Sequence, residues 1–407
     1  MATLARQPPR ATWLIGLLVA AMLLNYVDRG AVGIAAPLMK SDLALSATGF
    51  GLAVSAFFWV YAPAQLLIGW LCDRWCVYRL LAAGLALWAL STTLTAFTGG
   101  LASLIGLRLL LGLGESVTFP GTSKIIAQHV PAANRGTVGA LMAAAIAIGP
   151  AIGFLAGGTI LGAYGWRAIY LVFGVVTLVW VIPWLIASAP FRAASTHKRS
   201  TPYPMRDLAR LPALWLSGAT NFCGNFSGYF LLTWLPLYLI KSRGYSIPAM
   251  TEIATAKYLV QGCSALLFGW ASDRWVRAGA NEGRLRKGLM VAASSTIGAC
   301  ILGAAMVQSD AALVILLMVA GAAGGIASTN TWAIVQIFAG PRAAGSWMGV
   351  QNGLANLAGI VGPIITGLII DSTHSYFYAF ALAAAVSGTS AVIWLFAMPR
   401  VAQVALD

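Results

Sequence analysis

Long apolar runs separated by short polar gaps recur along the whole chain. A helix needs about 20 mostly apolar residues to cross the roughly 30 Å hydrocarbon core of a bilayer. Twelve runs meet that length, near 12–37, 48–71, 78–98, 101–127, 136–162, 166–188, 212–240, 250–272, 286–307, 311–338, 344–370 and 375–398. Backbone groups in lipid must bond within their own segment, so runs of this length predict helices.

The longest polar stretch, near 190–211, holds Arg192, Lys198, Arg199, Arg206 and Arg210 with Pro202 and Pro204. It separates an expected six-helix bundle over 1–189 from a second over 212–407, with 190–211 as a cytoplasmic linker. The expected fold class is an all-α membrane protein of two pseudo-symmetric six-helix bundles. Six-plus-six layouts build one large class of transporters, with the site at the membrane midplane between the halves. An internal echo supports the duplication: Gly69-Trp70-Leu71-Cys72-Asp73-Arg74-Trp75 closes the second run, and Gly269-Trp270-Ala271-Ser272-Asp273-Arg274-Trp275 closes the eighth.

Composition strengthens the membrane reading. The chain has 407 residues, 59% hydrophobic and 9% charged, whereas soluble domains carry about 25% charged residues. The net charge of +14 does not predict nucleic-acid binding, because the basic residues fall in the gaps between apolar runs. Counted by side, 17 Lys and Arg lie on one face of the membrane, 4 on the other, and 4 (Arg29, Arg108, Lys124, Lys257) within helices. The rich side is cytoplasmic by the positive-inside rule, which places both termini in the cytoplasm of a multi-pass cell-membrane protein, bacterial inner membrane being the expected setting. Arg6 and Arg10 precede the first run, which is too long for a signal peptide and reads as a retained helix. Five scattered Cys and three separated His predict neither disulfides, a metal site nor a cofactor.

The charges inside the apolar runs are the candidate chemistry. Asp28 and Arg29 sit in the first run, and Arg108 and Glu115 in the fourth, seven residues apart and so on one helix face. A charge at a helix centre costs about 2.5–3.5 kcal/mol on insertion scales, and such residues mark transport pathways or proton relays. Structural ion pairs that neutralise one another are the alternative. Arg stays protonated and offers a bidentate fork to a carboxylate, while Asp28 and Glu115 can titrate. A titratable acid beside a fixed cation is what proton-coupled uptake of an anion requires. Lys124 and Lys257 read as side chains snorkelling to the interface, the alternative for Lys257 being contact with a second substrate carboxylate. The repeated Asp73-Arg74 and Asp273-Arg274 pairs are candidate gate residues at the cytoplasmic surface. Asn225, Tyr229, Trp332, Asn352 and Asn356 supply donors for a carboxylate pocket, or interhelical bonds.

At these residues the chain resembles the anion:cation symporter family of the major facilitator superfamily. The resemblance covers nearly the whole chain, through Asn25-Tyr26-Val27-Asp28-Arg29, the Gly69–Arg79 loop, Arg108 to Glu115 and on to Gly121, Tyr164-Gly165-Trp166-Arg167, Leu232 to Tyr238 with Arg243 to Ser246, and Asn352 to Pro363. It implies a major facilitator fold that moves small organic anions, with bacterial sugar-acid symporters the most similar members. It further implies that Asp28 and Glu115 are the proton-linked acids, Arg29 the carboxylate-binding Arg and Arg108 its charge partner. Tyr26, Trp332 and Asn352 match pocket positions. Two departures are visible. Cys76 replaces a Gly of the first cytoplasmic motif, and Ala143 to Ile148 is apolar where sugar-acid members carry a polar residue, which favours a less hydroxylated or aromatic carboxylate. The expectation is proton-coupled symport of a small organic anion by alternating access, by a monomer whose partners are substrate, protons and lipid. The alternatives are an exporter or exchanger of metabolites or drugs, then a membrane-embedded enzyme or sensor, for which no nucleophile–base pair or soluble domain is evident.

Overall fold

The computed structural model describes residues 9–130, 135–192 and 205–404. Every regular element among them is helical. The first half holds α1 (Pro9–Asp42), α2 (Ala47–Arg74), α3 (Val77–Thr95), α4 (Leu101–Glu115), α5 (Thr118–His129), α6 (Arg135–Tyr164) and α7 (Trp166–Arg192). The second holds a short α8 (Met205–Leu208), α9 (Pro212–Lys241), α10 (Ile247–Arg277), α11 (Glu282–Met306), α12 (Asp310–Thr373) and α13 (Tyr376–Val392), which ends in a π-helical turn at Ile393–Ala397.

All twelve predicted segments are helical. The fourth is divided between α4 and α5, and the tenth and eleventh run through the single helix α12, with Pro341 at their junction. Ten segments among the described residues are both long and apolar enough to cross a membrane. α9 and α10, at 30 and 31 residues, have the length but are more polar, carrying Asn221, Asn225 and Tyr229, and Glu252, Lys257 and Gln261.

Several helices begin where the sequence supplies a capping side chain, which accepts an amide otherwise left without an intrahelical partner. Asn281 takes the amide of Arg284 at 3.0 Å, and Ser375 that of Phe377 at 3.2 Å. Ser46 takes the amide of Gly49 at 2.9 Å, and the Asp371 carboxylate takes those of Ala47 and Thr48 at 2.9 and 2.7 Å, so the start of α2 is doubly capped.

The chain forms two compact units, Met1–Leu45 with Leu52–Arg199, and Ser46–Gly51 with Ser200–Asp407. In the first, α1 packs on α6 and α7, and α3 on α4 and α7. In the second, α9 and α10 pack on α12, and α11 on α12 and α13. Counting crossings, the first segment meets the fifth and the third meets the sixth in each unit, as a duplicated fold requires. A buried cluster of the second unit includes Leu214, Met290, Phe338, Trp347 and Trp394, with Phe338 and Trp347 stacked at 5.4 Å. Val175, Val179, Ile182 and Ile186 leave one side of α7 apolar and exposed. In water such a face would drive association; in lipid it is the solvated surface. Exposed Trp13 and Trp75 in the first unit, and Trp215, Trp270 and Trp275 in the second, lie near helix ends, where indole rings settle at membrane interfaces.

Candidate functional site

The buried charges of the first unit converge. Successive helix residues point about 100° apart, so Asp28 and Arg29 leave α1 in different directions. Arg29 turns toward α2 and α4. Its Nη2 lies 3.0 Å from Glu115 Oε2, with the two side chains 10% and 1% exposed. Its Nε donates to Asn25 Oδ1, one turn back on α1, at 3.1 Å. Three rings surround the guanidinium: Tyr26, Phe57 and Tyr61, with centroids 5.4, 5.1 and 4.9 Å from Cζ. Ring faces attract the cation and keep water from it.

Asp28 turns toward α3. Its Oδ2 accepts from the Trp88 indole and, at 2.9 Å, from the Thr92 hydroxyl, while Oδ1 has no hydrogen-bond partner among the described residues. Trp88 and Thr92 are four residues apart and so share one face of α3. Arg108 is buried, with Cζ 5.9 Å from the Phe57 ring. It makes no ion pair among the described residues, and its Nε has no hydrogen-bond partner there. The charge partner of Arg29 is therefore Glu115 rather than Arg108. Arg108 and Glu115 share a helix face but stand seven residues, about 10 Å, apart along the axis, which is too far to pair.

Local sequence places these groups. Pro120 lacks an amide, so the carbonyl of Ser116 loses its helical donor. The helix breaks at Ser116–Val117, directly after Glu115, where the Ser116 hydroxyl turns back to Leu113 O at 2.7 Å. A Cβ at Gly114 would strike the backbone of Trp88, and one at Gly112 the backbone of Phe57. These two glycines let α4 lie directly against α3 and α2, bringing Glu115 beside the rings around Arg29 and the donors to Asp28. Gly149 and Gly153 do the same for α6 at Tyr26 and Val27.

The second unit joins some of the predicted polar residues. Tyr229 on α9 donates to Asn356 Oδ1 on α12 at 3.2 Å. Asn225 and Asn352 are half-buried, and Trp332 is 47% exposed. Lys257 is buried at 3% exposure, donates to Gln261 Oε1 at 2.9 Å, and has Nζ 3.7 Å from the centroid of the Tyr258 ring. It does not reach an interface, contrary to the snorkelling expected. Lys124 donates to the carbonyl of Cys72 in the last turn of α2, and so caps a helix end.

Among the motif residues, Asp273 accepts from buried Arg286 of α11 at 3.4 Å, and Arg286 also holds Glu282 at 2.8 Å and Asn330 at 3.4 Å. Arg274 lies over the Trp270 ring at 5.6 Å. Arg74 is exposed, and the Asp73 side chain lies outside the described residues. At the opposite end of the first unit, Asp42 joins α1 to Trp166 at 3.0 Å and to Arg167. Gly165 makes that turn with φ +79°, a conformation suited to glycine. Arg243 binds the carbonyls of Val307 and Gln308 at 2.6 and 2.8 Å and Asp310 at 2.9 Å. The Asp310 hydrogen bond pushes the pKa of Arg243 upward.

Sequence reading missed Trp88, Thr92, Phe57 and Tyr61. Their only signal is spacing, since each pair is four residues apart on a face of its helix.

Helices of membrane-crossing length, apolar outward faces and charges buried within the apolar stretches define a multi-pass membrane protein of the transporter class. The family model of the Major Facilitator Superfamily matches residues 18–280 and 250–405, and the chain belongs to that superfamily. It is 30% identical over 378 residues to the hexuronate transporter of Bacillus subtilis, covering 90% of this chain and 89% of the relative. It is 28% identical over 405 residues to a protein named "Probable sulfoacetate transporter" of Cupriavidus necator, covering 95% and 93%. It is 26% identical over 397 residues to a "Probable L-galactonate transporter" of Escherichia coli, covering 93% and 87%. The fold matches a crystal structure of a bacterial homolog of the human lysosomal transporter Spinster, inward-facing and occupied, with a TM-score of 0.78 over 97% of this chain and 96% of that one at 17% identity. The chain is thus a transporter and not an enzyme.

Proposed function

We propose that the chain is a proton-coupled symporter of a small organic anion, working by alternating access in a bacterial inner membrane with both termini in the cytoplasm. The observation that carries this reading is the buried Arg29–Glu115 ion pair in the first unit, ringed by Tyr26, Phe57 and Tyr61. One guanidinium then has two competing carboxylates, that of Glu115 and that of the substrate. Leaving a buried charge without its partner costs about 3–5 kcal/mol. Protonation of Glu115 removes the counter-ion of Arg29 and favours substrate as its replacement, so proton and anion bind together. Asp28, held by Trp88 and Thr92 beside Arg29, is the second acid of the relay.

Arg108 and Tyr26 are further proposed substrate contacts in the first unit, and Tyr229, Asn356, Asn352 and Trp332 are the proposed contacts in the second. Asp73, Arg74, Asp273 and Arg274 act as gate residues, with the Asp273–Arg286 contact as one latch. The sugar acids and the sulfo acid in the names of the relatives support an acidic substrate. The apolar Ala143–Ile148 stretch of α6 favours one with few hydroxyls.

Thermal unfolding of the purified protein against a panel of carboxylates tests the reading. Stabilisation confined to anions, and abolished in Arg29→Ala, is the expected result. Stabilisation by lipophilic cations instead would support a drug exporter and refute it.

A further inference from the structure

Among the described residues, Lys257 is a cation without a counter-ion. It lies ten residues into α10, about 15 Å from the helix start, and 97% of it is hidden. An ammonium has three donors, and the one acceptor it meets among the described residues is Gln261 Oε1. No carboxylate there lies within ion-pair distance of it. Glu252, the nearest acid along the helix, is exposed and points about 140° away around the axis.

What surrounds Lys257 holds it in position without neutralising it. The Tyr258 ring lies under the ammonium, and Gln261, one turn on, shares its helix face. The facing stretch of α12 offers Gly321, Gly324 and Gly325. A Cβ at Gly321 would strike the Lys257 carbonyl, and one at Gly325 the Gln261 carbonyl. The two helices are therefore in backbone contact where the charge is buried. A structural lysine at such a contact would be expected to bond the neighbouring backbone carbonyls or an acid, and among the described residues Lys257 does neither. An orphan cation of this kind, in a chain that carries anions, is suited to a charge that arrives with the cargo.

Resting on the anion-symport reading above, we infer that Lys257, with Gln261, receives a second acidic group of the transported anion, so that the physiological substrate is a dianion. The Gln261 amide still has its N–H donors to offer beside the ammonium, which suits a carboxylate or a sulfonate oxygen pair.

The test uses the full chain in detergent and matched probes that differ by one charge: D-glucarate against D-gluconate, and glutarate against its monoamide, glutaramate. Apparent affinities come from ligand-dependent thermal shifts. Wild type prefers the dianion of at least one pair by tenfold or more. Lys257→Gln brings that ratio close to one, and Lys257→Arg restores it to within threefold of wild type. A wild-type ratio near one for both pairs overturns the inference and needs no variant. An unchanged ratio in Lys257→Gln also overturns it, and Lys257→Met gives the same reading where the Gln variant does not fold. Arg29→Ala separates the two proposals: an anion response that survives Arg29→Ala refutes the role of Arg29 while the charge preference at Lys257 stands. No stabilisation by any probe refutes both.

Discussion

Each buried charge in the first unit is held by a different kind of partner. Arg29 has a carboxylate, an amide oxygen and three ring faces, while Asp28 has an indole and a hydroxyl. Removing a donor from a buried carboxylate costs about 1–3 kcal/mol. Thr92→Val keeps the shape of the side chain and removes the donor. It should lower the melting temperature of the protein in detergent by an amount equivalent to about 1–2 kcal/mol, and an unchanged melting temperature would contradict the assigned bond. The four charges themselves were legible in the sequence, because an ionised group inside an apolar run is conspicuous. Their partners were not. Trp88, Phe57 and Tyr61 are apolar residues in apolar runs, and which of them meets a charge is decided by how helices pack. The same blindness made Arg108 the expected partner of Arg29, whereas it is Glu115 that lies 3.0 Å from the guanidinium. It also made Lys257 a snorkelling residue, when it lies too deep for that.

Elements are positioned by small residues. The predicted helices are all present, and Ser46, Asn281 and Ser375 cap the starts of three of them. Their mutual contacts were not readable, since sequence does not say which backbone each glycine faces. Gly112 faces Phe57. Gly112→Ala must therefore push α4 away from α2, or shift Phe57 and Tyr61 off the Arg29 guanidinium. Overpacking of this kind costs about 1–3 kcal/mol. The variant should lose thermal stability and bind anions at least several-fold more weakly. Gly106 of the same helix, whose Cβ would meet nothing within 4 Å, is the control whose Ala variant should behave as wild type. Equal behaviour of the two variants would show that the α2–α4 contact does not shape the site.

At the scale of the whole molecule, the duplicated packing of the two units and the repeated motif describe one six-helix plan used twice. The asymmetry of Lys and Arg, 17 against 4, predicts that both termini lie in the cytoplasm. A fluorescent-protein fusion at the C-terminus should be bright in cells and an alkaline phosphatase fusion there inactive; the reverse pattern would overturn the orientation. The proposed coupling to protons is likewise a property of the whole cycle, and it is where the account can be tested most directly. In proteoliposomes carrying an inward-directed proton gradient, wild type should accumulate a radiolabelled carboxylate identified by the thermal-shift panel. Glu115→Gln should lose that uphill uptake while still exchanging labelled for unlabelled substrate across the membrane. Gradient-driven accumulation by Glu115→Gln at the wild-type level would contradict the claim that Arg29 trades Glu115 for its cargo.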